Sequence, residues 1–173
     1  MATAKKGAAK KPAATAKAAR TDATALLERD HADVKKLFKQ YEKLADADAD
    51  GQDRQALAEQ ICAMLTVHAT IEEEIFYPAA RAAEVEEDLL DEAEVEHASA
   101  KELIAQIEAM SPDDDLYDAK LTVLGEYIDH HVKEEEGELF PKCRKSDMDL
   151  EGIGEALATR KQALTAEMAE MAA

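Results

Sequence analysis

Four stretches of the chain repeat apolar residues at intervals of three and four, the period of one helix face. The first puts Leu27, His31, Val34, Phe38 and Tyr41 on one stripe. The acidic segment "DADADGQD", which contains Gly51, interrupts it. The second reads Leu57, Ile61, Met64, Leu65, His68, Ile71, Glu72 and Ile75. It is expected to end at Pro78, because proline lacks the backbone donor that continues a helix. The third reads Leu90, Ala93, His97, Ala100, Ile104 and Ile107. "SPDDD" follows, with Ser111 expected as an N-cap and Pro112 at the first position of the next helix. The fourth stripe is Leu121, Leu124, Ile128, His131, Glu135 and Leu139, with Pro141 expected to close it. A last amphipathic segment, from about Ile153 to Met168, predicts an extra helix that packs outside the others or frays.

Links this short make consecutive helices antiparallel neighbours. The predicted fold is all-α: an up-down-up-down four-helix bundle with an extra C-terminal helix and a disordered N-terminal tail. The expected boundaries are 1–22 for the tail, 23–146 for the bundle and 147–173 for the last helix. Only 6 Gly and 4 Pro in 173 residues agree with helix over sheet.

Charge divides the chain. The opening "MATAKKGAAKKPAATAKAAR" carries six Lys/Arg and no acid. It lacks the large apolar groups that offset ordering entropy, so it is expected to be a disordered, solvated tail, with a non-specific DNA-binding arm as the alternative. The whole chain is at −18, so the remainder carries −24, from 15 Lys/Arg against 39 Asp/Glu. Such a domain repels nucleic acid and draws cations. Only residues 1–20 are suited to contact DNA, non-specifically, and they name no protein partner. No apolar run resembles a Sec-type signal, and nothing approaches 18 consecutive apolar residues. Cys62 and Cys143 read as free thiols, one in the core and one at the surface, and the expected location is the cytoplasm.

Each of the four predicted helices places a histidine on its apolar stripe: His31, His68, His97 and His131. Two add a glutamate one turn later on the same stripe, Glu72 and Glu135. One such histidine is ordinarily a satisfied core residue. Six inward polar groups in one small core are costly without partners. A metal ion partners all of them at once. Imidazole and carboxylate without thiolate suit iron or manganese, with zinc possible. Two helices with His and Glu at i, i+4 supply two carboxylates, enough to bridge two ions.

His31, "HATIEEEIFYP", "EVEHASAKELI" and "HHVKEEEGELFP", over about residues 24–145, resemble the haemerythrin-like, HHE cation-binding family. The resemblance implies a non-haem di-iron centre, oxo- or hydroxo-bridged, inside a four-helix bundle. It implies that Glu72 and Glu135 bridge the irons and that His31, His68, His97 and His131 are ligands. Oxygen-carrying members have a second histidine one turn after the third-helix histidine, where this chain has Lys101. Glu94, Tyr127, His130 or a water could fill that place, and Glu136 could bridge instead of Glu135.

Other residues have plainer readings. Glu73, Glu74, Glu134 and Glu138 read as a solvated acidic face, Asp33, Glu96 and Asp129 as surface charges, and Phe76, Tyr77 and Phe140 as packing. A ferritin-like alternative would take Glu28-x-x-His31 and Glu94-x-x-His97 as ligand pairs, but its long crossover connection is missing. The expected function is a di-iron protein that binds or senses O2, iron, or reactive oxygen or nitrogen species such as H2O2 or NO, as in a stress response. The alternatives are a di-iron enzyme that decomposes peroxide and a helical protein with a DNA-binding tail.

Overall fold

The computed structural model describes residues 22–47 and 49–171. The predicted tail therefore lies outside the described residues, except for Asp22, which caps the first helix. Its Oδ1 accepts from Ala25 N at 2.9 Å and from Thr24 Oγ1 at 2.7 Å. All regular structure among the described residues is helical. The helices are α1 (Ala23–Asp46), α2 (Gly51–Ile71), α3 (Tyr77–Ala82), α4 (Glu87–Glu108), α5 (Tyr117–Glu134), α6 (Phe140–Cys143) and α7 (Leu150–Met171).

The helices α1, α2, α4 and α5 form a closed ring of neighbours, α1 on α2, α2 on α4, α4 on α5 and α5 on α1. This is the expected four-helix bundle. Every residue of the third and fourth stripes is buried. The extra helix α7 packs on α1 and α2, and Leu157 anchors it with no exposed surface. At one end of the bundle Asp118 of α5 accepts from Tyr41 Oη at 2.5 Å and from Arg54 of α2 at 2.7 Å.

Three local expectations are corrected. The prolines do not end their helices. A π-turn, Glu72–Phe76, joins α2 to α3, and a second, Glu135–Leu139, joins α5 to α6. In each, the next residue bonds five back: Tyr77 N–H to Glu72 O, Phe140 N–H to Glu135 O. The wider turn moves the carbonyl that a proline ring would otherwise strike, so Pro78 and Pro141 are accommodated one residue later. Second, Ser111 caps a turn, not a helix. Its N–H donates to Asp114 Oδ2, and α5 begins only at Tyr117, after Leu116 in the left-handed region at φ 75°. Third, Cys143 is buried like Cys62, because the helix continues past Pro141 and turns it inward. Burial pushes the Cys62 thiol up to about 12 and the Cys143 thiol up to about 11.

The core has two apolar clusters. One gathers Val34, Leu65, Ala100, Ile104, Ile128 and Val132 among others. The other gathers Leu27, Ile71, Phe76, Ala93, Leu139 and Phe140 among others. The four stripe histidines and the two stripe glutamates lie in the layer between them, all buried.

Candidate metal centre

The i, i+4 spacing of the two repeats brings each histidine against its own glutamate. His68 Nε2 lies 3.2 Å from Glu72 Oε2, and His131 Nε2 lies 3.4 Å from Glu135 Oε2. Each glutamate also reaches the neighbouring helix. Glu72 Oε2 is 3.4 Å from His97 Nε2, and Glu135 Oε2 is 3.2 Å from His31 Nε2. The imidazoles meet in pairs, His31 with His68 at 3.1 Å and His97 with His131 at 3.2 Å, always through Nε2. Two groups could therefore each hold a metal ion: His31, His68, Glu72 and Glu135, and Glu72, His97 and His131. Glu72 belongs to both.

Both oxygens of Glu72 and Oε2 of Glu135 are buried without a hydrogen-bond partner. Their Oε2 atoms have only the imidazole contacts above, ion pairs without hydrogen-bond geometry, so these buried carboxylates are poorly satisfied. Six donors, all imidazole or carboxylate, converge on the same space, and a cation fits them.

The other ring nitrogen of every histidine faces a carboxylate. His31 Nδ1 is 2.9 Å from Glu136, His97 Nδ1 3.0 Å from Glu73, and His131 Nδ1 2.7 Å from Glu96. His68 Nδ1 is 3.5 Å from Asp30, an ion-pair contact without a hydrogen bond. The three hydrogen bonds fix the tautomer that leaves Nε2 free to bind a metal, and they raise its basicity. The arrangement is cyclic. Each supporting carboxylate is the sequence neighbour of one inward residue but serves a histidine on another helix. Asp30 precedes His31 and serves His68; Glu96 precedes His97 and serves His131. Glu73 follows Glu72 and serves His97; Glu136 follows Glu135 and serves His31.

The helix α7 belongs to this outer layer. Its Lys161 pairs with Asp30, behind His68. Burial pushes the Asp30 carboxyl up, but His68 and Lys161 outweigh it and hold it below the usual range. Arg160 grips Glu74 of the first π-turn at 2.6 Å. Lys101 does not point at the centre. Its Nζ lies 2.5 Å from Glu73, the carboxylate that holds His97.

Tyr77 is the inward residue that stripe counting misses. Its hydroxyl donates to Glu135 Oε1 at 2.8 Å and lies 3.3 Å from His97 Nε2. Burial and the neighbouring Glu135 and Glu72 hold this phenol well above its ordinary pKa, so it keeps its proton in the metal-free chain. In a plain α-helix a residue five after Glu72 would face elsewhere; the π-turn returns it. The adjacent Tyr-Pro is the signal that could have found it.

Several candidates lie apart from the six. Glu94 pairs with Arg81 at the surface, and Glu28 pairs with Arg144, so the ferritin-like ligand pairs do not form. Tyr127 is half exposed, and His130 is 64% exposed. Glu136 supports His31 from outside, while Glu135 occupies the interior.

Beside the histidines, on the side of the first apolar cluster, is a chamber of about 20 Å³. Val34, Leu65, Ile104 and Ile128 line it together with the four histidines, Asp30 and Lys101. It is mostly aliphatic and has room for one water-sized molecule.

Burial alone would lower the imidazole pKa values. The carboxylates of Glu72, Asp30 and Glu135 outweigh burial at His68 and hold it up at about 10. Glu135, Glu96 and Glu72 do the same at His131, at about 9. An unfolded histidine titrates near ~6.5. The stability supplied by these protons is therefore complete below about pH 6.5 and lost as pH rises through about 9 to 10. Metal-free protein is expected to melt at progressively lower temperature from neutral pH to about pH 10. Metal-loaded protein, whose Nε2 atoms carry no proton, should lack that decline. Circular dichroism melts of both forms check this, and parallel curves would contradict it.

The profile of the Hemerythrin HHE cation binding domain matches residues 22–143. A relative from Nostoc sp., described as a DNA nickase, is 32% identical over 121 residues. The match covers 70% of this chain and 33% of the relative, so the chain spans about a third of that protein's length. Among solved structures, a hemerythrin HHE cation binding domain-containing protein from Mycobacterium kansasii superposes with a TM-score of 0.69 at 22% identity. The superposition covers 85% of this chain and 89% of that one, and at this identity the likeness concerns the fold. Among the described residues, no helix is long and apolar enough to cross a membrane.

Proposed function

Because the chain belongs to the hemerythrin HHE cation-binding domain family, we propose that it holds two iron ions, with which it binds or senses O2, H2O2 or NO. His31, His68 and Glu135 would hold one ion, His97 and His131 the other, and Glu72 would be shared. The carrying observation is Glu72 itself, wholly buried, common to both groups and without a hydrogen bond on either oxygen. Iron is preferred to manganese or zinc on the family resemblance, since the donors themselves suit all three. Bound iron supplies an electron-exchanging, ligand-accepting centre. The chain supplies the rest. The carboxylates behind Nδ1 orient the rings. The apolar chamber favours small neutral molecules over ions. Tyr77 holds a proton at its hydroxyl, directed at Glu135. The two buried, free thiols support a reducing, cytoplasmic setting.

A second reading is peroxide decomposition at the same centre. Lys101, turned away to Glu73, favours it, because the group around His97 and His131 is then one donor poorer than the group around His31 and His68. A third role falls to residues 1–20, whose six positive charges suit non-specific contact with DNA. The relative described as a DNA nickase gives that role its interest, although the match covers a third of that protein.

Iron loading tests the main reading. The loaded protein is expected to hold two irons per chain and to show the near-ultraviolet charge-transfer absorption of a bridged pair, altered by O2 or NO. Less than about half a metal per chain after iron supply would refute it. Rapid O2 release from H2O2 at full occupancy, abolished by His68→Ala, would select the enzyme instead.

A further inference from the structure

A third group of ligand-type side chains lies at the surface. Glu96 comes from α4, His130 and Glu134 from α5, and their donor atoms are within 4.8 Å of one another. His130 Nε2 stands 3.5 Å from Glu96 Oε1 and 3.4 Å from Glu134 Oε1. Exposed Glu92 and Glu138, one turn along from Glu96 and Glu134, extend the negative patch.

What lies behind this group separates it from an ordinary acidic surface. A gap of about 10 Å³ opens between α4 and α5, walled by Glu96, Glu134, His131 and Glu135. It has room for about one water molecule. The Glu135 carboxylate bounding it is 2% exposed, and its Oε2 has no hydrogen-bond partner. Glu96 joins outside to inside: Oε1 faces His130, while Oε2 accepts from His131 Nδ1 at 2.7 Å.

We propose that Glu96, His130 and Glu134 form an outer binding station for a hydrated divalent cation, through which metal enters the buried centre. One imidazole and two carboxylates on partly exposed side chains suit Fe2+ or Mn2+, held weakly enough to move on. The rest of the wall agrees. Leu139 and Ala93 beside the gap belong to the second apolar cluster, whereas the apolar chamber opens towards the first. The chamber's one carboxylate, Asp30, is paired with Lys161, and the Lys101 ammonium stands at the same wall, so the chamber is the poorer path for a dication. Carboxylates line the gap from surface to interior. The centre thus has two doors, a polar one for the cation and an apolar one for the small ligand. The destination rests on the iron reading above; the station does not.

Mn2+ is the probe, counted by its electron paramagnetic resonance signal. Iron-loaded wild-type protein is expected to take one further Mn2+ per chain. The His130→Asn/Glu134→Gln variant should bind it at least about tenfold more weakly, with unchanged iron content. Metal-free variant should also take up ferrous iron about tenfold more slowly, to the same final content. Unchanged Mn2+ affinity in the variant overturns the station, and an unchanged loading rate overturns its part in entry. If wild-type protein retains no iron, the di-iron reading fails by itself. Comparing Mn2+ binding by metal-free wild-type and variant protein then still decides the station.

Discussion

Glu72→Gln is expected to strip the buried centre of metal while leaving a folded chain. Glu72 has no exposed surface and sits 3.2 Å from His68 Nε2 and 3.4 Å from His97 Nε2. It is the residue common to both groups of donors. An amide fills the same volume, so the helices should stay packed and far-ultraviolet circular dichroism should not change. It cannot supply the negative charge that offsets the desolvation of a buried dication. Because one substitution removes a donor from both groups, metal affinity should fall by about 100-fold or more. Elemental analysis after iron supply checks this, with Glu74→Gln, at the surface, as the control. Metal content near the wild-type level would show that Glu72 is not shared.

Removing the metal is expected to lower the melting temperature by roughly 10 °C. The layer of four imidazoles and two carboxylates separates the two apolar clusters, so neither can compensate for it. In the metal-free chain the two buried carboxylates are held by imidazole contacts and by the Tyr77 hydroxyl on Glu135. A ligand present at about 1,000 times its Kd stabilises the native state by about 4 kcal/mol, and about 2–4 °C per kcal/mol applies to a chain this long. Melts of chelator-treated and reloaded protein measure the difference. The increment should vanish in Glu72→Gln, because variant and chelator remove the same interaction. Equal melting temperatures with and without metal would contradict the account.

The bundle and its six inward polar residues were legible because each obeys a local rule. His31, His68, Glu72, His97, His131 and Glu135 all fall on apolar stripes, and a stripe is visible from spacing alone. The supporting carboxylates obey no local rule. Asp30, Glu73, Glu96 and Glu136 each neighbour an inward residue in sequence, and on one helix that position looks like surface. Their partners are on other helices, so their role exists only after packing. Lys161 is farther still from legibility: it acts on His68 through Asp30 from a helix that is not part of the four. The prolines misled for the opposite reason. The rule that a helix stops at proline assumes the ordinary α-turn, and the chain departs from that turn just before Pro78 and Pro141. Tyr77 was lost with them, since its inward position depends on the same turn.

The π-turns make part of this centre a matter of length, not identity. Between Glu72 and Tyr77 the count of residues, more than their side chains, decides where the phenol arrives. A substitution scan through 73–76 should pick out Glu73, which holds His97, and the buried Phe76, but it would not reveal the turn itself. If the same residues closed into ordinary α-turns, Tyr77, Pro78 and all of α3 would swing by about 100° relative to α2, the angle per residue of an α-helix. Deleting one residue at the same time would bring the phenol back to the face of Glu72, four residues on. The second repeat carries the same hazard between Glu135 and Phe140, whose ring stacks on His31 at 5.8 Å. Chains related to this one should therefore carry either this length with the π-turn or one residue fewer with an ordinary α-turn.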